Sequence, residues 1–451
     1  MDLAADADSD EAKIQAWIEA QVGPVRKFER EARWRPAWLV EAEVNGQTCK
    51  LYVRGDRKGD FPPRPLRYEA AIHELFEKSG VRVPHYYGYI EEPAAIVMEL
   101  VEGHTSLSEA ETEAERAAVR RQLIAQMVSM HEVSTAAVEA AGAPGPSDPS
   151  DLPLTHYRAI EQVYLRHKKT PMPGIEFVRS WIERNVPANP EGPRTISVDS
   201  GQFMFKDGEL LALRDFEFVC LGDFHTDLAA LRLRNLQEYI GEMSEICSLY
   251  EELSGLRVDP HRLRYHTVVF CIVTPLMTAN DINNPKAGHD QHEYMIWASF
   301  CLKFALECIA EIMGIELEPL PSPEPEPTRY DIAQQALELH ANGLTATDEY
   351  SAYQRRKQIL ALRFLRRVDR HQPAFERRYL ADVAAITGRP VSSWAEADRV
   401  IEDFVTTAGP ESDAALLRLF HRQSLEACFL LADPEDKVNW VQLTEPLRPF
   451  P

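Results

Sequence analysis

Cysteine is scarce and scattered: there are seven in 451 residues, with none in the paired spacing of a zinc site or a disulfide framework. Cys301 and Cys308 lie one heptad apart, which suits the buried face of a helix. Long apolar runs are missing too. The most apolar stretch, residues 268–277, is short and contains Pro275, so no membrane-spanning helix is expected. The acidic start, MDLAADADSDEAK, has no apolar signal segment. Positive charge is the third shortage: 49 Lys and Arg face 71 Asp and Glu, a formal net charge of -22. That balance disfavours a nucleic-acid partner and does not exclude a phosphate ligand, which local basic clusters would decide. The expected setting is the cytoplasm, with no membrane attachment.

What the chain does have is enough apolar residue, 45%, and enough length for two or three cored domains. Residues 11–20 read as a short helix. Alternating runs around Asn45-Gly46 then predict a β-hairpin. Helices are predicted over 65–78, ending before Gly80, and over 113–133, where Val119, Leu123, Met127 and Met130 recur at helical spacing. His131, at the end of that helix, reads as a packed or capping residue. Further helices are expected at 228–253, 260–277 and 291–313. His289 and His292 have only Glu293 as a neighbouring ligand type, so they read as a polar helix start, not a metal site. Residues 316–328, ELEPLPSPEPEPT, form an acidic Pro-rich linker. Beyond it, helices are expected at 330–343, 348–387 with a break near Pro373, 392–407 and 412–432.

Residues 195–227, TISVDSGQFMFKDGELLALRDFEFVCLGDFHTD, are the centre of the chain. Asp207-Gly208 between apolar runs predicts a second hairpin. Asp199 precedes the hairpin and Asp215 ends it, so the turn draws two acids towards one cleft. Such a pair suits a magnesium nucleotide: one acid orients a hydroxyl and the other holds the metal.

The stretch resembles the catalytic segment of the aminoglycoside phosphotransferase and choline kinase family. That family reads His-Gly-Asp, a short loop, Gly-Asn, a hairpin, an Asp in an apolar strand, then Gly-Asp and a further Asp opening a helix. Gly201, Asp215, Gly222-Asp223 and Asp227 match; the triplet does not appear intact. Without gaps, its Asp falls on Ser197, its His on Thr195, and the Asn on Gln202. With a loop two residues shorter, Ser197-Val198-Asp199 replaces the triplet and keeps the acid. The second register is preferred because it reproduces the required chemistry, although an Asp at 199 also suits a simple turn cap.

The resemblance covers roughly residues 25–314 and implies an α+β, kinase-like fold. Residues 1–98 would form a small antiparallel-sheet lobe over the nucleotide, and residues 99–315 a large, mainly helical lobe. Residues 329–451, past the linker, would be an all-helical domain that packs on the large lobe, mediates homo-oligomerisation, or shapes the substrate mouth. The implied cofactors are ATP and Mg²⁺. Arg54 stands where the family has a phosphate-binding cation, and Glu69 where its partner carboxylate lies. Asp215 and Gln202 would hold the metal. Glu99, Leu100 and Val101 would offer backbone to an adenine edge. The family's glycine turn is absent; Arg33 and Arg35, in a basic segment, are candidates to contact phosphate instead, or else form a solvated face. The expected function is phosphoryl transfer to a hydroxyl of a small, anionic metabolite, such as a coenzyme A thioester. The alternative is a nucleotide-binding or scaffold protein with impaired catalysis, which the altered triplet, Gln202 and the missing glycines favour.

Overall fold

The computed structural model describes residues 9–33, 35–56, 64–187, 192–286, 289–321, 323–433 and 438–448. Its contacts divide the chain into two compact units. One contains residues 1–156, 189–258 and 449–451, the other residues 157–188 and 259–448.

The first unit opens with α1 (Asp10–Gln21), capped by the Ser9 side chain. Five strands follow in an antiparallel sheet: β1 (Val25–Arg30), β2 (Ala37–Val44), β3 (Gln47–Gly55), β4 (Tyr86–Glu91) and β5 (Ala94–Glu99), in the order β1-β2-β3-β5-β4. The β2–β3 turn is the expected hairpin. Asn45 and Gly46 both take positive φ, 53° and 79°, the twist that matches paired strands. One sheet face packs on α1 through Ile14, Ile18, Val40, Leu51 and Val53. On the other face, α2 (Leu66–Lys78) supplies Leu66 and Ala70 against Ile96 and Met98. This is the small antiparallel-sheet lobe that the sequence led one to expect.

The helical part of the same unit holds α3 (Glu113–His131), α4 (Thr135–Ala140) and the start of α5 (Thr155–His167). After the excursion into the second unit come β6 (Arg194–Ile196), β7 (Phe203–Lys206), β8 (Glu209–Leu213) and β9 (Cys220–Gly222). β7 and β8 pair as the second expected hairpin, and β6 pairs with β9. The single helix expected over 228–253 is two, α7 (His225–Arg234) and α8 (Met243–Ser254). Asn235 ends the first: its Oδ1 accepts the amides of Ile240 and Gly241 at 2.7 and 3.1 Å, replacing the helical ladder with a side-chain turn.

The second unit is helical: α6 (Pro173–Arg184), α9 (Pro260–Asn283), α10 (Gln291–Met313), α11 (Asp331–Gly343), α12 (Glu349–Thr387), α13 (Trp394–Thr407) and α14 (Asp413–Leu431), with the rest of α5. The Pro-rich stretch does not close off a separate domain here, because the helices after it share a core with those before it. Buried Leu416, Leu417 and Phe420 of α14 sit in that core, with Phe420 against Phe177, and Glu307 of α10 pairs with His421 at 3.3 Å. Helix α12 also runs unbroken through Pro373. Proline removes a donor there, and the Glu326 amide of the Pro-rich stretch bonds the neighbouring Arg370 carbonyl at 2.9 Å. A chain cut within residues 321–327 is therefore expected to leave an insoluble fragment, since each exposed Leu or Phe forfeits about 1.5–3 kcal/mol of burial. Centrifugation after expression checks this; a soluble, cooperatively melting fragment would contradict the shared core.

Among the described residues, no helix is long and apolar enough to cross a membrane, and none of the seven cysteines is in a disulfide.

Candidate active site

Everything the sequence singled out as chemistry lies in the first unit. The β7–β8 turn is again built by positive φ, 50° at Asp207 and 78° at Gly208. Two residues past β8, Asp215 also has a positive φ, 69°. A non-glycine residue held there costs on the order of 1–3 kcal/mol, and Asp is among the side chains that bear it best. The twist directs the Asp215 carboxylate to β3. Arg54 donates to its Oδ1 at 2.5 Å and Gln202 Nε2 to its Oδ2 at 3.1 Å.

Arg54 is the hub of a buried charge cluster. Its Nε lies 3.1 Å from Glu69 of α2, as expected, and its second nitrogen 3.3 Å from Glu217. Arg35 enters from the β1–β2 connection, 2.9 Å from Glu217 and 3.5 Å from Glu69, and donates to the Gly55 carbonyl at 3.1 Å. Among the described residues, three carboxylates thus face two guanidiniums. Burial alone would lower the pKa of Arg54; Asp215, Glu69 and Glu217 outweigh it and hold the guanidinium well above its usual range. Burial pushes Glu69 up, against the pull of Arg54 and Arg35.

The two basic-segment candidates therefore part company. Arg35 is 1% exposed and is neither a solvated residue nor an open phosphate clamp. Its chain distance from Glu217, 182 positions, hid that role from the sequence. Arg33 stays at the surface of the lobe, donating to the Tyr52 hydroxyl at 2.6 Å, with Glu31 at 3.5 Å.

The loop before the hairpin is held from beneath. Buried Asp227, in the first turn of α7, accepts the amides of Ser197 at 3.0 Å and Val198 at 2.7 Å. His131 supports it, with Nε2 2.9 Å from Asp227 Oδ2 and Nδ1 2.9 Å from the Tyr250 hydroxyl. The packed role read for His131 holds. Gly201 is needed where it stands: its φ is 87°, and a Cβ would lie 2.9 Å from Leu231.

On this base Asp199 projects beside Asp215. Gln202 Nε2 bridges the two, 2.8 Å from Asp199 Oδ2 and 3.1 Å from Asp215 Oδ2. Arg234 of α7 forks onto Asp199 at 2.8 and 2.7 Å. Ser197 is 4% exposed, its hydroxyl has no hydrogen-bond partner among the described residues, and it lines the same small pocket as Asp199, Met127 and Phe216. In the connector, the Glu99 amide is spent on the His85 carbonyl at 2.9 Å and the Leu100 amide on Lys50 at 3.0 Å. Neither amide is open to an adenine edge.

Glu69, Asp215 and Glu217 bring ligand oxygens within 4.8 Å of one another, the one such metal-type group among the described residues. Oxygen donors suit Mg²⁺. The side chains of Glu69 and Glu217 are only 5% and 6% exposed and are sealed by arginine, whereas that of Asp215 is 19% exposed. The fit for a hard cation is thus through Asp215, with the Gln202 amide and Asp199 alongside.

Compared with known sequences, residues 31–239 match the model of the "Phosphotransferase enzyme family". No curated protein matches the sequence. Among solved structures, a protein provisionally assigned as an aminoglycoside phosphotransferase from Ralstonia eutropha is 16% identical, with TM-score 0.49 over 65% of this chain and 95% of its own. A thermostable aminoglycoside phosphotransferase APH(4)-Ia, bound to ADP and hygromycin B, is 14% identical, with TM-score 0.46 over 66% and 98%. A macrolide 2'-phosphotransferase from Brachybacterium faecium is 17% identical, with TM-score 0.46 over 63% and 96%.

The matched segment holds Arg54, Glu69, Asp199, Gln202 and Asp215 in one connected set. Sequence reading missed three partners: Arg214, Glu217 and Arg234. The first two carried a signal, since they are charges set within the apolar run LLALRDFEFVCL on either side of Asp215.

Proposed function

We propose that this chain is a small-molecule phosphotransferase that uses ATP and Mg²⁺. The γ-phosphoryl group passes to a hydroxyl oxygen of the acceptor, the bond to ADP breaks, and the hydroxyl proton is released. Asp215, aided by the Gln202 amide oxygen, is the metal-holding group; Mg²⁺ supplies neutralisation of phosphate charge when bound. Arg54, pinned by Glu69, fixes the direction of Asp215 and lends positive charge beneath the phosphates. Asp199 orients the acceptor hydroxyl, with Ser197 lining the floor of the same pocket. Val101 is the connector residue assigned to the adenine edge. Transfer of this kind draws its rate from positioning and electrostatics, so a carboxylate already gripped by Arg234 still serves as an orienting group. Seven cysteines outside any disulfide fit a cytoplasmic setting.

The observation that carries this reading is the Gln202 bridge, which sets two carboxylates from either side of the hairpin within reach of one amide nitrogen. A second reading, nucleotide binding without transfer, draws on the Arg234 fork over Asp199. Both require Mg-ATP to raise the melting temperature, by mass action on the folded state. At 100 times Kd the stabilisation is about 2.7 kcal/mol. Flat melting curves across millimolar ATP, with and without Mg²⁺, would remove both readings.

A further inference from the structure

Among the guanidiniums around Asp215, one stands apart. Arg54 is 7% exposed and serves three carboxylates, and Arg35 is sealed at 1%. Arg234 is forked onto Asp199, and Arg33 is tied to Tyr52 and Glu31. Each of these cations already has a fixed acceptor. Arg214 does not: its side chain reaches solvent and makes no ion pair or side-chain hydrogen bond among the described residues. Its backbone is nevertheless fixed, with the amide donating to the Gln202 carbonyl at 3.0 Å. The groups that act on its charge are Asp215 and Glu238, the Tyr52 phenol on β3, and Arg234 on α7. Arg214 lines the same small pocket as Ser197, Asp199 and Gln202, which puts it at the mouth of the site. A guanidinium carries five N–H donors in a fork that matches phosphate oxygens.

We infer that Arg214 is the residue that grips the phosphate chain of the ligand, a task left open because Arg54 is consumed by Glu69, Glu217 and Asp215. The inference rests on the phosphotransferase reading and narrows it: the ligand's phosphates lie against residue 214, one position before the metal-holding carboxylate. The ligand class is a polyphosphate, either free or as part of a nucleotide.

The test is calorimetric titration of the full chain, with Mg²⁺ present, using tripolyphosphate, ATP and adenosine. Wild type is compared with Arg214→Met and Arg214→Lys, each first shown to melt like wild type. Wild type is expected to bind tripolyphosphate, which competes with ATP. Arg214→Met is expected to weaken ATP and tripolyphosphate by about tenfold or more, the value of one or two charge-assisted hydrogen bonds, and to leave adenosine unchanged. Arg214→Lys should fall between, keeping charge but losing the fork. Equal affinities in wild type and Arg214→Met, an equal loss for adenosine, or no tripolyphosphate binding by wild type would each overturn the inference. Arg214-dependent binding of tripolyphosphate with no extra affinity for ATP would keep it while removing the nucleotide from the proposed function.

Discussion

Replacing Arg35 by Ala is expected to destabilise the first unit by about 3–5 kcal/mol, the usual cost of breaking a buried pair by removing one partner. Glu217 would lose its 2.9 Å guanidinium partner, and Glu69 would lose its second cation. Three carboxylates would then face a single guanidinium, with little water to relieve them. For a unit of this size the melting temperature should fall on the order of ten degrees. Arg33→Ala should differ sharply: its guanidinium is about one-third exposed, and surface changes of this kind stay within about 0.5 kcal/mol. Differential scanning of the two single variants checks the contrast. Equal small shifts would mean that Arg35 is solvated after all.

Asp215→Asn is expected to act in the opposite way, sparing the fold and removing function. It takes one negative charge from a cluster in which, among the described residues, three carboxylates face two guanidiniums. Asn also tolerates the positive φ of 69° at this position. Unfolding free energy should therefore change little. The Mg²⁺-dependent part of the ATP-induced melting shift should vanish, and any turnover should drop by at least about a hundredfold, as when a preorganised charge partner is lost from a reacting site. Melting curves with ATP, with and without Mg²⁺, decide this. An undiminished Mg²⁺ effect in Asp215→Asn would move the metal elsewhere.

The legible parts of this molecule were those governed by local rules. Asn45-Gly46 and Asp207-Gly208 announce hairpins because few other pairs accept two consecutive positive φ values. The periodic Val119, Leu123, Met127 and Met130 announce α3 and are all buried in it. The Arg54–Glu69 pair followed from resemblance to a known arrangement. What stayed hidden depended on distant contacts. Arg35 looks like any arginine in a basic segment until Glu217 arrives from 182 positions away. Asp199 looks free until α7 delivers Arg234. Pro373 should break a helix, yet α12 runs unbroken through it. The Pro-rich stretch reads as a boundary by composition, yet its flanking helices share one core, which composition does not encode.

The most direct measurement is transfer of labelled γ-phosphate from Mg-ATP to a panel of hydroxyl-bearing metabolites, by wild type, Asp199→Asn and Ser197→Ala. The bridge between Asp199 and Asp215 predicts that wild type labels at least one acceptor. It predicts that Asp199→Asn binds Mg-ATP and loses turnover, while Ser197→Ala retains most of it. Full turnover in Asp199→Asn on an identified acceptor, or Mg-ATP binding by wild type with no acceptor labelled, would contradict the account.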